Sequence, residues 1–210
     1  MSDASTHGQP HDHTPPPDPD ERVSYYQTME TALRELLVEK GIVTAEEVRA
    51  EVEAMDARTP AQGAMVVARA WCDPDFKARL LADGTAACED LGINMGALRL
   101  VVVENTDEVH NVIVCTLCSC YPRMLLGRPP DWYKSRAYRS RVVRDPRAVL
   151  AEFGLELPKD KVVRVHDSTA DMRYMVLPQR PPGTEDMSEA ELAELVGRDS
   201  LVGVALPRAP

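Results

Sequence analysis

An α+β fold is predicted, with an N-terminal helical arm ahead of a layered α/β domain in which a cysteine-rich loop leaves a strand. Three observations predict it. Apolar residues recur at helical spacing from residue 24 to about residue 91. From Leu98 onward they fall into short β-branched runs punctuated by turn residues. Three of the five cysteines then crowd into six positions directly after one of those runs. Helices first, then strands with helices between them, is the element order of an α+β domain.

Residues 1–22 precede this pattern. They hold His7, His11 and His13, five prolines and a net charge of −4. Such a segment cannot bury enough apolar surface to offset its ordering entropy, so a disordered acidic tail is expected, whose histidines hold a metal only loosely. The arm, residues 23–58, starts where Ser24 and Gln27 form a capping-box pattern. Tyr26, Met29, Leu33, Leu36 and Leu37 then share one helical face, and Gly41 stops the helix. Thr44 and Glu47 repeat the capping pattern for a second helix to about Met55, and Arg58-Thr59-Pro60 breaks the chain.

Residues 59–210 form the expected α/β domain, which holds the cysteine-rich loop. A third helix is predicted from Ala61 to Ala70, and Asp73-Pro74 opens a fourth, expected to run unbroken to about Leu91. Strands are expected over 98–103, 111–114, 162–165 and 172–177. Asp145-Pro146 opens a further helix that Gly154 closes, and Ser188 with Glu191 caps a last one.

The chain has 210 residues, 44% of them hydrophobic, and a formal net charge of −10. That charge argues against nucleic acid or an anionic membrane as a partner, since both select a cationic surface. No apolar run approaches the roughly 18–20 residues of a membrane span, and no signal-peptide core is visible, so a reducing cytoplasm is expected. Charge is also uneven. Residues 121–147 carry +6, with eight bases (Arg123, Arg128, Lys134, Arg136, Arg139, Arg141, Arg144, Arg147) against Asp131 and Asp145. Within a chain of net charge −10, this island does not read as an RNA-binding stripe.

The island abuts Val114-Cys115-Thr116-Leu117-Cys118-Ser119-Cys120-Tyr121-Pro122. Three sulfurs at i, i+3 and i+5 converge on one metal if the loop curls around it. A structural zinc site or an iron–sulfur cluster wants a fourth ligand that the loop lacks, with His110 the nearest candidate for zinc. A different donor set closes. Deprotonated backbone amides of Ser119 and Cys120 would add two nitrogens to the three sulfurs and leave one octahedral position open. Deprotonating a peptide amide needs a strongly acidic metal, so a trivalent ion is expected, and the resulting anionic excess calls for nearby cations.

At these residues the sequence resembles the metal-binding α subunit of the nitrile hydratase family. The likeness extends over Val103–His110, Leu126–Tyr133, Tyr138–Val143 and Val176–Pro181, about residues 24–206 in all. It implies that Cys115 is the axial thiolate ligand. Cys118 and Cys120 are implied to be oxidised to sulfinic and sulfenic acid, with the amides of Ser119 and Cys120 completing the plane. Thr116 resembles the cobalt-type members, where iron-type members carry Ser, so Co(III) is expected and Fe(III) is the weaker expectation. The implied activity is a hydro-lyase reaction, the hydration of a small nitrile to its amide at a Lewis-acid metal. Implied partners are a β-type subunit that completes the site and a metal-inserting activator protein.

One departure bears on the substrate. Nitrile hydratases commonly read Tyr-Pro-Trp after the last cysteine, whereas here Arg123 follows Tyr121-Pro122. Arg123 therefore joins Cys118, Ser119 and Cys120 as a candidate catalytic residue. It resembles the γ subunit of thiocyanate hydrolase, a relative with an anionic substrate. A three-subunit enzyme of the toyocamycin type, acting on a nucleoside nitrile, reconciles the two likenesses. A non-catalytic zinc protein using the three cysteines and His110 is the remaining alternative. Elsewhere, His110 reads as a hydrogen-bonded strand residue, Cys72 and Cys88 as packed thiols, and Trp71 and Trp132 as anchors. His166 and Asp167 are neighbours on a strand and face opposite sides, which rules out a triad.

Overall fold

The computed structural model describes residues 25–210; the tail of residues 1–22 and the Ser24 cap lie outside the described residues. The described residues divide into two compact units, 25–43 and 44–210. In the first, α1 (Tyr25–Glu39) ends at Gly41, whose φ of +65° turns the chain so that Ile42 N–H reaches the Leu37 carbonyl. Its apolar side chains Tyr26, Met29, Leu33 and Leu36 are exposed.

The second unit opens with α2 (Ala45–Asp56), started by the full capping box of Thr44 and Glu47. Then comes α3 (Ala61–Cys72), which runs two residues past the expected Ala70. It is buried along Gly63, Ala64, Val66, Val67, Ala68 and Ala70. Such small side chains let other elements approach its axis closely. Its Trp71 donates from the indole Nε1 to the Pro178 carbonyl at 2.8 Å, fastening α3 to the chain beyond the last strand.

The helix expected to run from Pro74 to Leu91 is in fact two, α4 (Pro74–Ala82) and α5 (Gly84–Asp90). Between them Asp83 is extended (φ −147°, ψ 93°), and its carboxylate accepts from Ala86 N–H at 3.1 Å. An aspartate able to cap a new helix outcompetes continuation of the old one.

The four expected strands are present as β1 (Arg99–Glu104), β2 (Val109–Val114), β3 (Val162–Asp167) and β4 (Met172–Leu177). They form two parallel two-stranded sheets, β1 with β4 and β2 with β3. Parallel pairing demands a long crossover, and the one from β2 to β3 carries the cysteine loop. The same crossover holds α6 (Arg123–Leu126), α7 (Asp131–Lys134), α8 (Arg136–Arg141) and α9 (Pro146–Glu152). Its α9 is the helix expected between Asp145 and Gly154. After β4 come α10 (Glu189–Glu194), with its Ser188–Glu191 capping box, and a helix not anticipated, α11 (Arg198–Val202). The main core gathers Val112, Ile113 and Val114 of β2, Met175 to Leu177 of β4, Leu125, Leu126, Leu201 and Val202.

Candidate metal centre

The centre is rooted in β2, whose last five residues are buried, as is Cys115 just beyond them. Register places Val114 opposite Asp167, the final residue of β3, and Ser168 N–H donates to the Val114 carbonyl at 2.7 Å. From that root the loop curls outward and back. Thr116, Leu117 and Cys118 are exposed, while Ser119 and Cys120 are half-buried.

The three sulfurs come together. Cys118 Sγ lies 3.5 Å from Cys115 Sγ and 3.2 Å from Cys120 Sγ, and all three lie within 4.8 Å of one another. Cys118 N–H donates to Cys115 Sγ at 3.3 Å. The Cys118 thiol is held below its ordinary pKa, first by the Cys120 thiol, then by Cys115 and by the backbone N–H groups of Ser119 and Cys120. Cys120 is pushed up to about 12, mainly by burial and then by its cysteine neighbours, with Arg173 acting in the opposite sense.

Three contacts anchor the loop from outside. The Asp167 carboxylate accepts from Thr116 N–H at 2.9 Å and from its hydroxyl at 2.5 Å. Arg139 Nη1 reaches the Thr116 carbonyl at 3.5 Å. At the other end, the buried Tyr133 hydroxyl donates to the Cys120 carbonyl at 2.9 Å. Nearby, Tyr138 does the same for the Ile113 carbonyl at 2.7 Å. Burial raises both phenols far above their ordinary pKa, so each is a donor at neutral pH.

The basic island contributes less than its position suggests. Arg128 pairs with Asp56 at 3.1 Å and Lys134 with Asp131 at 2.9 Å. Arg141 pairs with Glu152, and Arg147 donates to the carbonyls of Leu157 and Pro158. Arg123 stands exposed at the start of α6. The cation that acts on Cys120 is instead Arg173 of β4, a residue the sequence reading gave no role. Both Arg139 and Arg173 keep a buried Nε without an acceptor. Such orphaned donors suit a centre whose ligands carry excess negative charge. The donor set and its surroundings thus fit a thiolate-held metal.

His110 is not part of the centre. Its Nε2 donates to the Gly203 carbonyl at 2.7 Å, and its Nδ1 accepts from Asn105 Nδ2 at 3.3 Å, so neither nitrogen is left for a metal. That removes the fourth ligand of the zinc alternative. His166 bonds Asn111 Oδ1 at 2.8 Å while its neighbour Asp167 faces the loop, as strand alternation requires. Cys88 is a packed thiol that burial pushes up to about 12, but Cys72, expected to be packed, is exposed at the end of α3.

Both imidazoles are held below their ordinary pKa, first by burial. The unfolded chain therefore binds more protons than the native one once pH falls below about 6.5, and stability drops with acidification through that window. Thermal melts are expected to fall clearly from pH 7.5 to pH 5.5, above the range where carboxylates protonate. An unchanged midpoint over that interval would contradict neutral, hydrogen-bonded histidines.

Both the sequence and the fold have counterparts among known proteins. The family described as nitrile hydratase, alpha chain, matches residues 24–205. The chain is 54% identical over 178 residues to the α subunit of a cobalt-containing nitrile hydratase from Pseudonocardia thermophila, covering 82% of this chain and 86% of that one. It is 44% identical over 200 residues to the thiocyanate hydrolase γ subunit of Thiobacillus thioparus, covering 90% and 82%. Among solved structures, a double mutant of the Fe-type nitrile hydratase from Comamonas testosteroni Ni1 superposes with a TM-score of 0.81. It is 50% identical and covers 88% of this chain and 91% of that one.

Proposed function

Because the chain belongs to the nitrile hydratase alpha-chain family, we propose that it is the metal-binding subunit of a cobalt-type enzyme that hydrates a nitrile to its amide. The observation that carries this is the convergence of three sulfurs, all within 4.8 Å of one another, on one loop, with no histidine among them. Cys115, Cys118, Cys120 and the amide nitrogens of Ser119 and Cys120 would hold the ion. Cobalt(III) is favoured over iron(III) by Thr116 and by the cobalt-containing relative. When bound, the ion supplies a Lewis acid that polarises the nitrile carbon or acidifies a water. A β-type subunit would close the exposed side of the loop, where Leu117 is 85% exposed. An activator protein would deliver the metal. Cys118 and Cys120 are expected as sulfinic and sulfenic acids.

This chain's residues divide the remaining work. Asp167 holds the Thr116 side of the loop in place, and Arg139 and Arg173 offset the charge of the sulfurs. Arg123 presents a cation where an indole is usual, which favours a polar nitrile, such as a nucleoside nitrile, over an apolar one. That same residue supports a second reading, the γ subunit of a thiocyanate hydrolase, given the 44% identity.

The assembled complex incubated with nitriles and with thiocyanate decides between them. Amide formation is expected, and carbonyl sulfide release from thiocyanate without amide formation would overturn the first reading. Arg123→Trp is expected to lower kcat/KM for anionic or polar substrates at least about 10-fold more than for a neutral apolar nitrile, the scale of one lost charge-assisted contact. Equal losses would remove Arg123 from substrate recognition.

A further inference from the structure

The stretch Asp131-Trp132-Tyr133 belongs to the family likeness, yet nothing in the proposed chemistry uses it. Structure gives it a task. The cysteine loop lacks regular secondary structure from residue 115 to residue 122, so its shape depends on contacts from outside. Asp167 and Arg139 hold its first half at Thr116. The last cysteine is held at its carbonyl by the Tyr133 hydroxyl.

Tyr133 is well placed to be rigid. It is fully buried on α7, and its ring meets Tyr121 edge-on at 4.9 Å and Trp132 at 5.9 Å. Pro129 and Pro130 stiffen the approach to that helix. A carbonyl fixed at Cys120 fixes the backbone torsion from which its sulfur and its amide nitrogen project. Two of the five proposed donors belong to Cys120, so a small rotation there moves both.

We propose that Tyr133 is a positioning residue for the metal centre, whose hydroxyl, by bonding the Cys120 carbonyl, sets the geometry of the Cys120 sulfur and amide. The inference rests on the cobalt reading above. Tyr138 provides the internal comparison, because its hydroxyl bonds the Ile113 carbonyl, two residues ahead of the first ligand.

The test uses the complex with its β-type partner, carrying Tyr133→Phe or Tyr138→Phe. Phenylalanine keeps the ring packing, and both variants are expected to melt about 2–4 °C lower. Only Tyr133→Phe should shift the sulfur-to-cobalt absorption band and lower kcat about 10-fold at unchanged KM. Para-aminophenylalanine at position 133 returns an N–H donor to the same place and should restore band and rate. It also serves if Tyr133→Phe does not accumulate. A wild-type band in Tyr133→Phe, equal band shifts in both variants, or no restoration by the amino analogue would each overturn the proposal. Absence of cobalt from the wild-type complex would overturn the underlying reading instead.

Discussion

Cys118→Ala is expected to leave a folded chain that neither retains cobalt nor hydrates nitriles. Cys118 is the middle sulfur, 3.5 Å from Cys115 and 3.2 Å from Cys120. Removing it takes away the sulfur that both others approach and leaves two thiolates to hold the ion. The side chain is exposed, so its loss opens no core cavity and the fold should survive. Loss of Lewis-acid polarisation forfeits several kcal/mol of transition-state stabilisation, on the order of 10³-fold or more in rate. Metal content per chain and amide formation by the assembled complex measure both effects. Full cobalt occupancy in the variant would place the ion elsewhere.

The second large effect is structural and lies on the far side of β2. Gly203 ends α11 with φ +91°, and a Cβ there would stand 2.0 Å from the Asn111 carbonyl oxygen and 3.0 Å from Val112 Cα. Gly203→Ala must therefore either push α11 away or shift the strand that roots the cysteine loop. The Gly203 carbonyl also accepts from His110, so a displaced α11 breaks that bond and leaves a buried imidazole N–H unpaired. Backbone clash, left-handed strain and an orphaned donor add to a loss on the order of 3–5 kcal/mol. Urea unfolding reads it directly. A variant as stable as the wild type would mean that this close approach does not hold the strand.

Much of the fold was legible because its boundaries are chemical. Capping boxes at Thr44–Glu47 and Ser188–Glu191 and the Asp-Pro starts at 73–74 and 145–146 mark helices where hydrogen-bonding side chains replace missing backbone partners. Strand β4 coincides with its expected residues, 172–177, because turn residues bracket it closely. What escaped was too short to repeat a hydrophobic pattern. Helices α6, α7, α8 and α11 span four to six residues each, too few for periodicity to register. Asp83 shows the opposite failing: helical spacing continues through a residue whose side chain ends one helix and starts the next.

The candidate site divides in the same way. Its cysteines were visible because the atoms that matter are adjacent in the chain. Asp167, Arg173 and Tyr133 were not, because strand register and a crossover bring them to the loop from 13 to 53 residues beyond Cys120. Charge proximity along the sequence pointed to the island at 121–147, but Arg128, Lys134, Arg141 and Arg147 are engaged in ion pairs and carbonyl contacts outside the cysteine loop. Sequence distance was a poor guide to electrostatic distance.

The central claim is that Cys115–Cys120 hold a trivalent cobalt ion on oxidised sulfurs. Metal analysis of the purified complex, combined with the mass of the proteolytic peptide bearing these cysteines, tests it most directly. One cobalt per chain and a gain of about three oxygen atoms on that peptide, two on Cys118 and one on Cys120, are the predicted result. One zinc per chain on unmodified thiols would contradict it.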